Sequence, residues 1–226
     1  MKVLITQPNY IPWRGYFYAI NLADVFVVYD DVQYTRRDWR NRNLIKTPIG
    51  LQWLTIPVQT KGKYLQKINE TAIADPRWAA RHWKTLQLNY AKAPHFATLA
   101  PVFENLYRSM ANQTLLTQVN LTFIAAICNL LHIKTPIVLS SQFELKGTKS
   151  EKLAHICKQL GATEYLSGKA AMEYLDVDLF SQLNISVTWL QYNHLPPYQQ
   201  LYPPFEPHVT VLDLLFNEGN QAHLFI

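Results

Sequence analysis

Residues 1–29 are MKVLITQPNYIPWRGYFYAINLADVFVVY, and they contain the clearest indication of the fold class. Residues 3–6 and 24–29 are almost continuously apolar, which predicts two strands that are buried on both faces. Residues 15–23 between them predict a helix. A strand, a helix and a second strand in this order indicate a βαβ unit with parallel strands.

The remaining chain extends this pattern. Residues 76–132 are predominantly helical and predict a lobe inserted between strands, while residues 30–46 predict a long ordered loop or a short hairpin. Residues 193–207 are rich in proline and predict an extended segment. Further strands are predicted at 52–58, 136–140, 164–168 and 185–190, and further helices at 149–160, 170–175, 180–183 and 211–216. We therefore expect one α/β domain over 1–226, with a Rossmann-like, mostly parallel sheet, flanking helices and the helical lobe.

The composition is that of a packed globular protein. Of 226 residues, 49% are hydrophobic and 16% are charged, which argues against a fibrous or largely disordered chain. The net charge of +5 fits an anionic small molecule or a nucleotide, and we expect no nucleic-acid partner. The 29 aromatic residues must either fill the core or line a pocket.

The chain has no pattern typical of secretion or of a membrane span. Pro8 interrupts the N-terminal apolar run before a signal peptide could form, and no uninterrupted apolar stretch has the roughly 18 residues that a span requires. Cys128 and Cys157 have neither disulfide-like nor metal-ligand spacing and predict buried free thiols. We expect a cytoplasmic protein.

The loop after the first strand is the first candidate for a ligand site. Ligands of open α/β sheets bind at the carboxyl ends of the strands. Gln7 and Asn9 offer amide groups there, and Tyr10, Trp13 and Tyr16 offer ring faces. The alternative is a structural turn that packs on its own aromatic side chains.

The loop after the second strand is the second candidate. Asp30 and Asp31 could bind a metal, a ribose or an amine, or act as a base. Arginine side chains bind phosphate in a bidentate manner, although a solvated, salt-bridged loop is equally compatible with the pattern. The candidate binding residues in this loop are Tyr34, Arg36, Arg37, Trp39, Asn41 and Arg42.

Two weaker candidates lie further along the chain. Ser167 and Gly168 end a predicted strand and could bind a ligand, although Ser167 could instead cap the next helix. His194 and Tyr198 lie in the proline-rich segment, where His194 could act as a general acid or base or be a structural histidine. No residues with metal-ligand spacing are present, so we predict no metal site, and the sequence does not identify a cofactor.

Several of these stretches resemble the WbqC-like protein family, which occurs in bacterial surface-polysaccharide (O-antigen) gene clusters. The resemblance covers nearly the whole chain and implies acyl or aminoacyl transfer onto an amino sugar. The chain departs from the family pattern at 167–171 and 194–198. The matching stretches include QPNYIPWRGYF (7–17), DDVQYTRRDWRNRNLI (30–45), KSEKLAHICKQLGATEYLSG (149–168) and LDLLFNEG (212–219).

The start of the chain is also similar in layout to adenylyl-transferring α/β enzymes with an HxGH turn. Gly15 corresponds to the glycine of that turn, but Trp13 and Tyr16 stand where the histidines would be. Residues 146–150, KGTKS, resemble the second phosphate-binding loop of such enzymes. This similarity implies a nucleotidyltransferase as an alternative function.

The leading hypothesis is a transferase that acts on a nucleotide-linked or otherwise anionic amino sugar. The second hypothesis is a non-catalytic module that binds a glycan or nucleotide, and the third is the nucleotidyltransferase. In the leading hypothesis Arg36, Arg37 and Arg42 hold phosphate, Tyr10, Trp13 and Trp39 stack on base or sugar, and Asp30, Asp31 or His194 acts as the base.

Overall fold

The structure is a computed structural model that describes residues 1–226. The chain divides into two compact units, which are described separately. We call Met1–Gln7, Tyr18–Asp31 and Ile133–His194 the sheet unit. We call Pro8–Phe17, Val32–His132 and Leu195–Ile226 the helical unit.

The chain contains seven strands, seven α-helices and four short 3₁₀ helices. In chain order they are β1 (Lys2–Thr6), α1 (Arg14–Leu22), β2 (Val25–Val28), β3 (Arg42–Thr47), β4 (Gly50–Thr55), α2 (Trp78–Tyr90), α3 (Phe96–Met110), α4 (Leu116–Leu130), β5 (Ile137–Leu139), α5 (Lys149–Gln159), β6 (Glu164–Ser167), α6 (Val177–Gln182), β7 (Ser186–Trp189) and α7 (Val211–Glu218).

The sheet unit contains a five-stranded sheet in the order β5-β2-β1-β6-β7, and all neighbouring strands are parallel. The pairing places Val3 beside Val25 on one side and beside Tyr165 on the other. The chain therefore starts in the middle of the sheet, and the strand order reverses between β1 and β6, as in Rossmann folds. The predicted α/β, Rossmann-like fold class is confirmed.

The segment predicted as a strand at 52–58 does not join this sheet. Strand β4 pairs antiparallel with β3, and the two form a separate hairpin in the helical unit. Gly50 has a φ of +119° at the turn, a conformation that glycine adopts at little cost. Residues 30–46 were predicted to form a long ordered loop or a short hairpin. From Arg42 onward they form the first strand of this hairpin.

Apolar side chains from strands and helices fill the core of the sheet unit. Val3, Ile5 and Val27 pack with α5 residues such as Ile156, and the ring of Tyr165 stacks on Phe180 at 5.2 Å between ring centroids. Strands that bury both faces must be apolar throughout, which explains why β1 and β2 are readable in the sequence.

Aromatic rings form the core of the helical unit. Phe216 of α7 contacts the rings of Tyr90, Phe96 and Phe103, which come from α2 and α3. Phe123 of α4 and Phe216 are both fully buried. A large part of the aromatic content is therefore used in packing.

The two cysteines are free and buried, as predicted. Burial raises the pKa of each thiol to about 12, because the charged thiolate is poorly solvated there. None of the helices combines the length and the apolar character that crossing a bilayer demands.

Candidate functional site

A cavity of about 240 Å³ in the helical unit brings together three of the predicted binding residues. Asn9 and Trp13 come from the first candidate loop, and Trp39 comes from the second. The cavity is lined by Asn9, Pro12, Trp13, Trp39, Asn43 and His208. We call it the aromatic cavity.

Backbone and side-chain hydrogen bonds hold the two loops together. The amide of Tyr10 donates to the carbonyl of Trp39 at 3.0 Å. The side-chain amide of Asn120, buried on α4, donates to the carbonyls of Pro8 and Arg40 at 3.0 and 2.8 Å. The cavity walls are therefore built on rigid neighbours rather than on mobile loop tips.

Asn43 of β3 fixes the turn before Trp13. Its side-chain nitrogen donates to the carbonyls of Tyr10 and Ile11 at 3.1 and 2.9 Å. Ile11 has a φ of +36°, which is unfavourable for a β-branched residue. Thr210 donates to the same Ile11 carbonyl at 2.8 Å, so several contacts stabilise this strained turn.

The position of the Trp13 ring depends on a glycine. A Cβ atom at Gly15 would lie 2.4 Å from the Trp13 ring, which is far inside van der Waals contact. On the other side the ring of His208 lies 5.3 Å from that of Trp13, between centroids. Any side chain at position 15 would therefore displace a wall of the cavity.

Tyr10 lies in the core and anchors the first loop. Its hydroxyl is 2.9 Å from Nδ1 of His82 and 2.8 Å from the hydroxyl of Tyr107, and Nε2 of His82 is 3.1 Å from the carbonyl of Thr55. Because a carbonyl only accepts, Nε2 carries the proton and Nδ1 accepts from Tyr10. Burial lowers the pKa of His82 to about 4, so the ring is neutral at pH 7.

A stack of tryptophan and arginine side chains extends from the cavity along the hairpin. Trp39 lies against Trp53 with 5.4 Å between ring centroids, and the guanidinium of Arg42 lies 4.1 Å from the centre of the Trp53 ring. A further nitrogen of Arg42 donates to the carbonyl of Arg37. This cation–π arrangement places a positive charge beside the aromatic wall.

Arg40 supplies a second positive charge, behind Asn9. One of its terminal nitrogens lies 3.4 Å from Oδ1 of Asn9 and 3.2 Å from Oδ1 of Asp38. The Nε groups of Arg40 and Arg42 are buried and have no hydrogen-bond partner within the protein. Leaving these buried donors unpaired costs free energy.

His208 is the one ionisable group among the lining residues of the aromatic cavity. Its Nδ1 lies 3.4 Å from Oε1 of Glu206, and its backbone amide donates to the same oxygen at 3.0 Å. The carboxylate therefore orients a histidine whose side chain is largely exposed to the cavity mouth and to solvent.

Asp30 and Asp31 lie at the carboxyl edge of the sheet unit, where they bind the end of β5. Asp30 is 2% exposed and accepts from the amide and the hydroxyl of Ser141, both at 3.1 Å. The hydroxyl of Ser140 lies 3.1 Å from Asp30 Oδ1 and 2.5 Å from Asp31 Oδ1. These bonds tie β2 to β5, and Asp31 is the more accessible of the two carboxylates.

The other predicted residues of the sheet unit are spread over its edge. Gln7 directly follows β1 and Ser167 is the last residue of β6, and the strand order reverses between these two strands. Ser167 is buried with its hydroxyl 3.5 Å from that of Tyr165, and Gly168 is exposed. The exposed ring of His194 packs edge-on against the ring of Tyr18, with 4.9 Å between the ring centroids.

Besides Tyr10 and Ser167, four more predicted binding residues are buried, and none of them lines the aromatic cavity. Tyr16 and Tyr34 are 7% and 6% exposed. The amide of Asn41 donates to the carbonyl of Ile56 at 2.8 Å, and the hydroxyl of Tyr198 donates to Asp213 at 2.8 Å. Burial raises the pKa of Tyr34 to about 12. The positions of these side chains are explained by packing and by internal hydrogen bonds.

Arg36 and Arg37 lie on the outer side of the second loop. Arg36 donates to the carbonyl of Thr60 at 2.5 Å and lies 5.1 Å from the centre of the Tyr64 ring. Arg37 is exposed and has a φ of +56°. Their role in binding phosphate stays a prediction.

In the stretch 146–150, which resembles a phosphate-binding loop, a side chain of the protein itself binds a backbone amide. Thr148 caps α5, and the carboxylate of Glu151 accepts from the Thr148 amide at 2.6 Å. A carboxylate thus occupies a backbone donor that a phosphate would need. No group of three or more His, Cys, Asp or Glu side chains has an arrangement that could hold a metal ion.

Three residues of the site, Arg40, Trp53 and His208, were missed in the sequence. Arg40 and Trp53 are close in sequence to predicted residues, and their type was a usable signal. His208 is different, because it reaches Trp13 only through an antiparallel bridge between Trp13 and Thr210 and a bond from the Val211 amide to the Pro12 carbonyl. No local pattern around residue 208 indicates that pairing.

Comparisons with known proteins agree with the resemblance seen in the motifs. A relative in Mycobacterium tuberculosis (strain ATCC 25618 / H37Rv), "Uncharacterized protein Rv1507c", is 50% identical over 221 residues, which are 98% of this chain and 95% of the relative. No solved structure matches the chain significantly. The sequence profile of the WbqC-like protein family matches residues 7–224. The chain therefore belongs to the WbqC-like protein family.

Proposed function

We propose that the protein binds an amino sugar that carries a phosphate, in nucleotide-linked form, and transfers an acyl or aminoacyl group to its amine. The observation that carries this proposal is the convergence of Asn9, Trp13 and Trp39 on one cavity. Family membership supports it, because members occur in surface-polysaccharide gene clusters.

The size and lining of the aromatic cavity favour a single sugar ring. Its volume of about 240 Å³ is below the roughly 300–1,000 Å³ of sites for larger ligands. Tryptophan faces pack on the apolar C–H surface of a sugar, and the amides of Asn9 and Asn43 can bond its hydroxyl groups. Arg40, which lies beside Asn9, and Arg42, which lies over the Trp53 ring, supply positive charge for the phosphate.

The proposed reaction forms a C–N bond. The sugar amine attacks the carbonyl carbon of an activated acyl donor such as a thioester, the bond to the sulfur leaving group breaks, and the amine proton passes to a base. His208 is the base that the cavity itself offers, with Glu206 orienting its ring. Asp31 belongs to the sheet unit, and its role as a base stays a prediction.

Calorimetry with uridine diphosphate glucosamine tests the binding step. We expect Trp39→Ala to weaken binding about tenfold, equivalent to roughly 1.4 kcal/mol, because it removes one aromatic wall. Tyr174→Ala is the matched control, since Tyr174 is an exposed aromatic residue of the sheet unit. Equal affinity of wild type and Trp39→Ala, or binding of uridine diphosphate alone with full affinity, would contradict a sugar site in the cavity.

Mass spectrometry of the sugar after incubation with an acyl thioester tests the transfer step. Loss of the amide product in His208→Gln but not in Asp31→Asn assigns the base to the cavity, and the reverse result assigns it to the sheet edge. Binding without any product would favour the second candidate function, a non-catalytic sugar-binding module. The absence of a carboxylate from the cavity lining favours that candidate.

A further inference from the structure

Positive charge is concentrated in one segment of the chain. Residues 32–67 contain eight basic residues and one acidic residue, a net charge of +7. The other 190 residues contain 13 basic and 15 acidic residues, a net charge of −2. The net positive charge of the protein thus comes from about one sixth of its length, a segment that belongs entirely to the helical unit.

Contacts within this segment assemble the charges into one surface. The strip 60–68 is fastened to the strip 32–36 by a bridge between Gln33 and Lys67 and by a bond from the Ile68 amide to the Val32 carbonyl. Arg36 binds the carbonyl of Thr60 and lies over the Tyr64 ring. We call the exposed side chains of Arg36, Lys61, Lys63, Tyr64, Leu65 and Lys67 the basic loop face.

The basic loop face also exposes two large apolar side chains. Tyr64 is 77% exposed and Leu65 is 82% exposed. Aromatic rings between basic residues suit nucleic acid as well as lipid. Exposed aliphatic side chains do not stack on bases, whereas they partition into the interfacial region of a bilayer.

We propose that the basic loop face docks on the surface of a bilayer that contains anionic phospholipids. Lys61, Lys63 and Lys67 contact the lipid phosphates, and Tyr64 and Leu65 insert among the headgroups. Polybasic segments bind such surfaces through charge, and one or two inserted side chains add affinity. This surface is separate from the lining of the aromatic cavity.

Sedimentation of the full-length protein with vesicles tests the proposal. We expect binding to vesicles of phosphatidylcholine with phosphatidylglycerol, weak binding to phosphatidylcholine alone, and a decrease as salt is added. The triple change Lys61→Gln, Lys63→Gln and Lys67→Gln should lower the partition coefficient about 100-fold, since each charge contributes about fivefold. Leu65→Ser should lower it about tenfold.

Matched control residues lie in three other places: within α2, just after α2, and in α5. Lys84, Lys92 and Lys158 are exposed, and their triple change to Gln removes the same charge from other places. Leu88 is 74% exposed, so Leu88→Ser matches Leu65→Ser. We expect both control variants to bind vesicles like the wild type, and all variants to keep the affinity for uridine diphosphate glucosamine that the wild type has.

Three results would overturn the proposal. The first is no binding to the anionic vesicles. The second is equal loss of binding in the control triple variant, which would reduce the effect to net charge. The third is tighter binding to single-stranded DNA than to vesicles, with Leu65→Ser unchanged, which would identify nucleic acid as the partner. Each of these results is independent of whether the aromatic cavity binds a sugar.

Discussion

Lowering the pH from about 8 to about 5 is expected to remove about 2 kcal/mol of stability through one buried histidine, His82. Its pKa is lowered by burial to about 4, whereas the ordinary value is 6.5. Between these two values the unfolded chain binds a proton that the native protein does not bind. This stability is therefore fully present above about pH 6.5 and is lost as the pH falls. At pH 4 the loss reaches about 3 kcal/mol.

The hydrogen bonds around His82 explain the direction of this effect. Nδ1 accepts a hydrogen bond from the Tyr10 hydroxyl. A proton on Nδ1 would point at the hydroxyl proton, so the hydrogen bonds from Tyr107 to Tyr10 and from Tyr10 to His82 would have to change direction. Tyr10 is part of the loop that carries Asn9 and Trp13. Acid is thus expected to loosen the wall of the aromatic cavity.

Urea unfolding followed by tryptophan fluorescence at the two pH values measures the effect, and His82→Gln is the control. Glutamine can accept from Tyr10 and donate to the Thr55 carbonyl, but it does not titrate. Burial raises the pKa of Asp213, and this carboxyl contributes with the opposite sign in both proteins. The difference between wild type and variant isolates His82, and a difference that does not change with pH would refute the reasoning.

Three further predictions concern the site and its support. Gly15→Ala should weaken binding of uridine diphosphate glucosamine about tenfold by displacing the Trp13 ring, and unchanged affinity in calorimetry would show that the ring does not contact the ligand. Lys46→Met should lower the free energy of unfolding by about 2 kcal/mol, because the carbonyls of Tyr202 and Pro204 lose a donor. The melting temperature measured by calorimetry should fall by roughly 4 to 8 °C, and an unchanged melting temperature would show that these hydrogen bonds do not stabilise the fold. Phe216→Ala should cost about 3 to 5 kcal/mol in urea unfolding by opening a cavity among three rings, while Leu224→Ala, at an exposed position, should change little.

The strands of the parallel sheet were the most predictable part of the fold. β1 and β2 are buried on both faces, so their sequences are continuously apolar and differ from helices in length. The hairpin was harder to predict, because β4 has the burial pattern of an exposed strand with one buried residue, Leu54. Alternation in the sequence indicated a strand there but not its partner.

The candidate site was predictable in part. Asn9, Trp13 and Trp39 belong to polar loops rich in aromatic residues, and the structure brings these three to one cavity. Tyr10, Tyr16 and Tyr34 have the same sequence context but are buried. A tyrosine in a loop has an apolar ring and a polar hydroxyl, so the local sequence cannot distinguish a ring that faces a ligand from one that packs inward.

Local periodicity and composition were enough to assign the α/β class and the central βαβ unit, and to locate the excess of positive charge in residues 32–67. Which aromatic residues form a cavity, and which side chain joins them from far along the chain, depends on the folded structure. His208 meets Trp13 across 195 positions through backbone pairing near Thr210. Such pairing depends on the geometry of the folded chain, and no short window of sequence contains it.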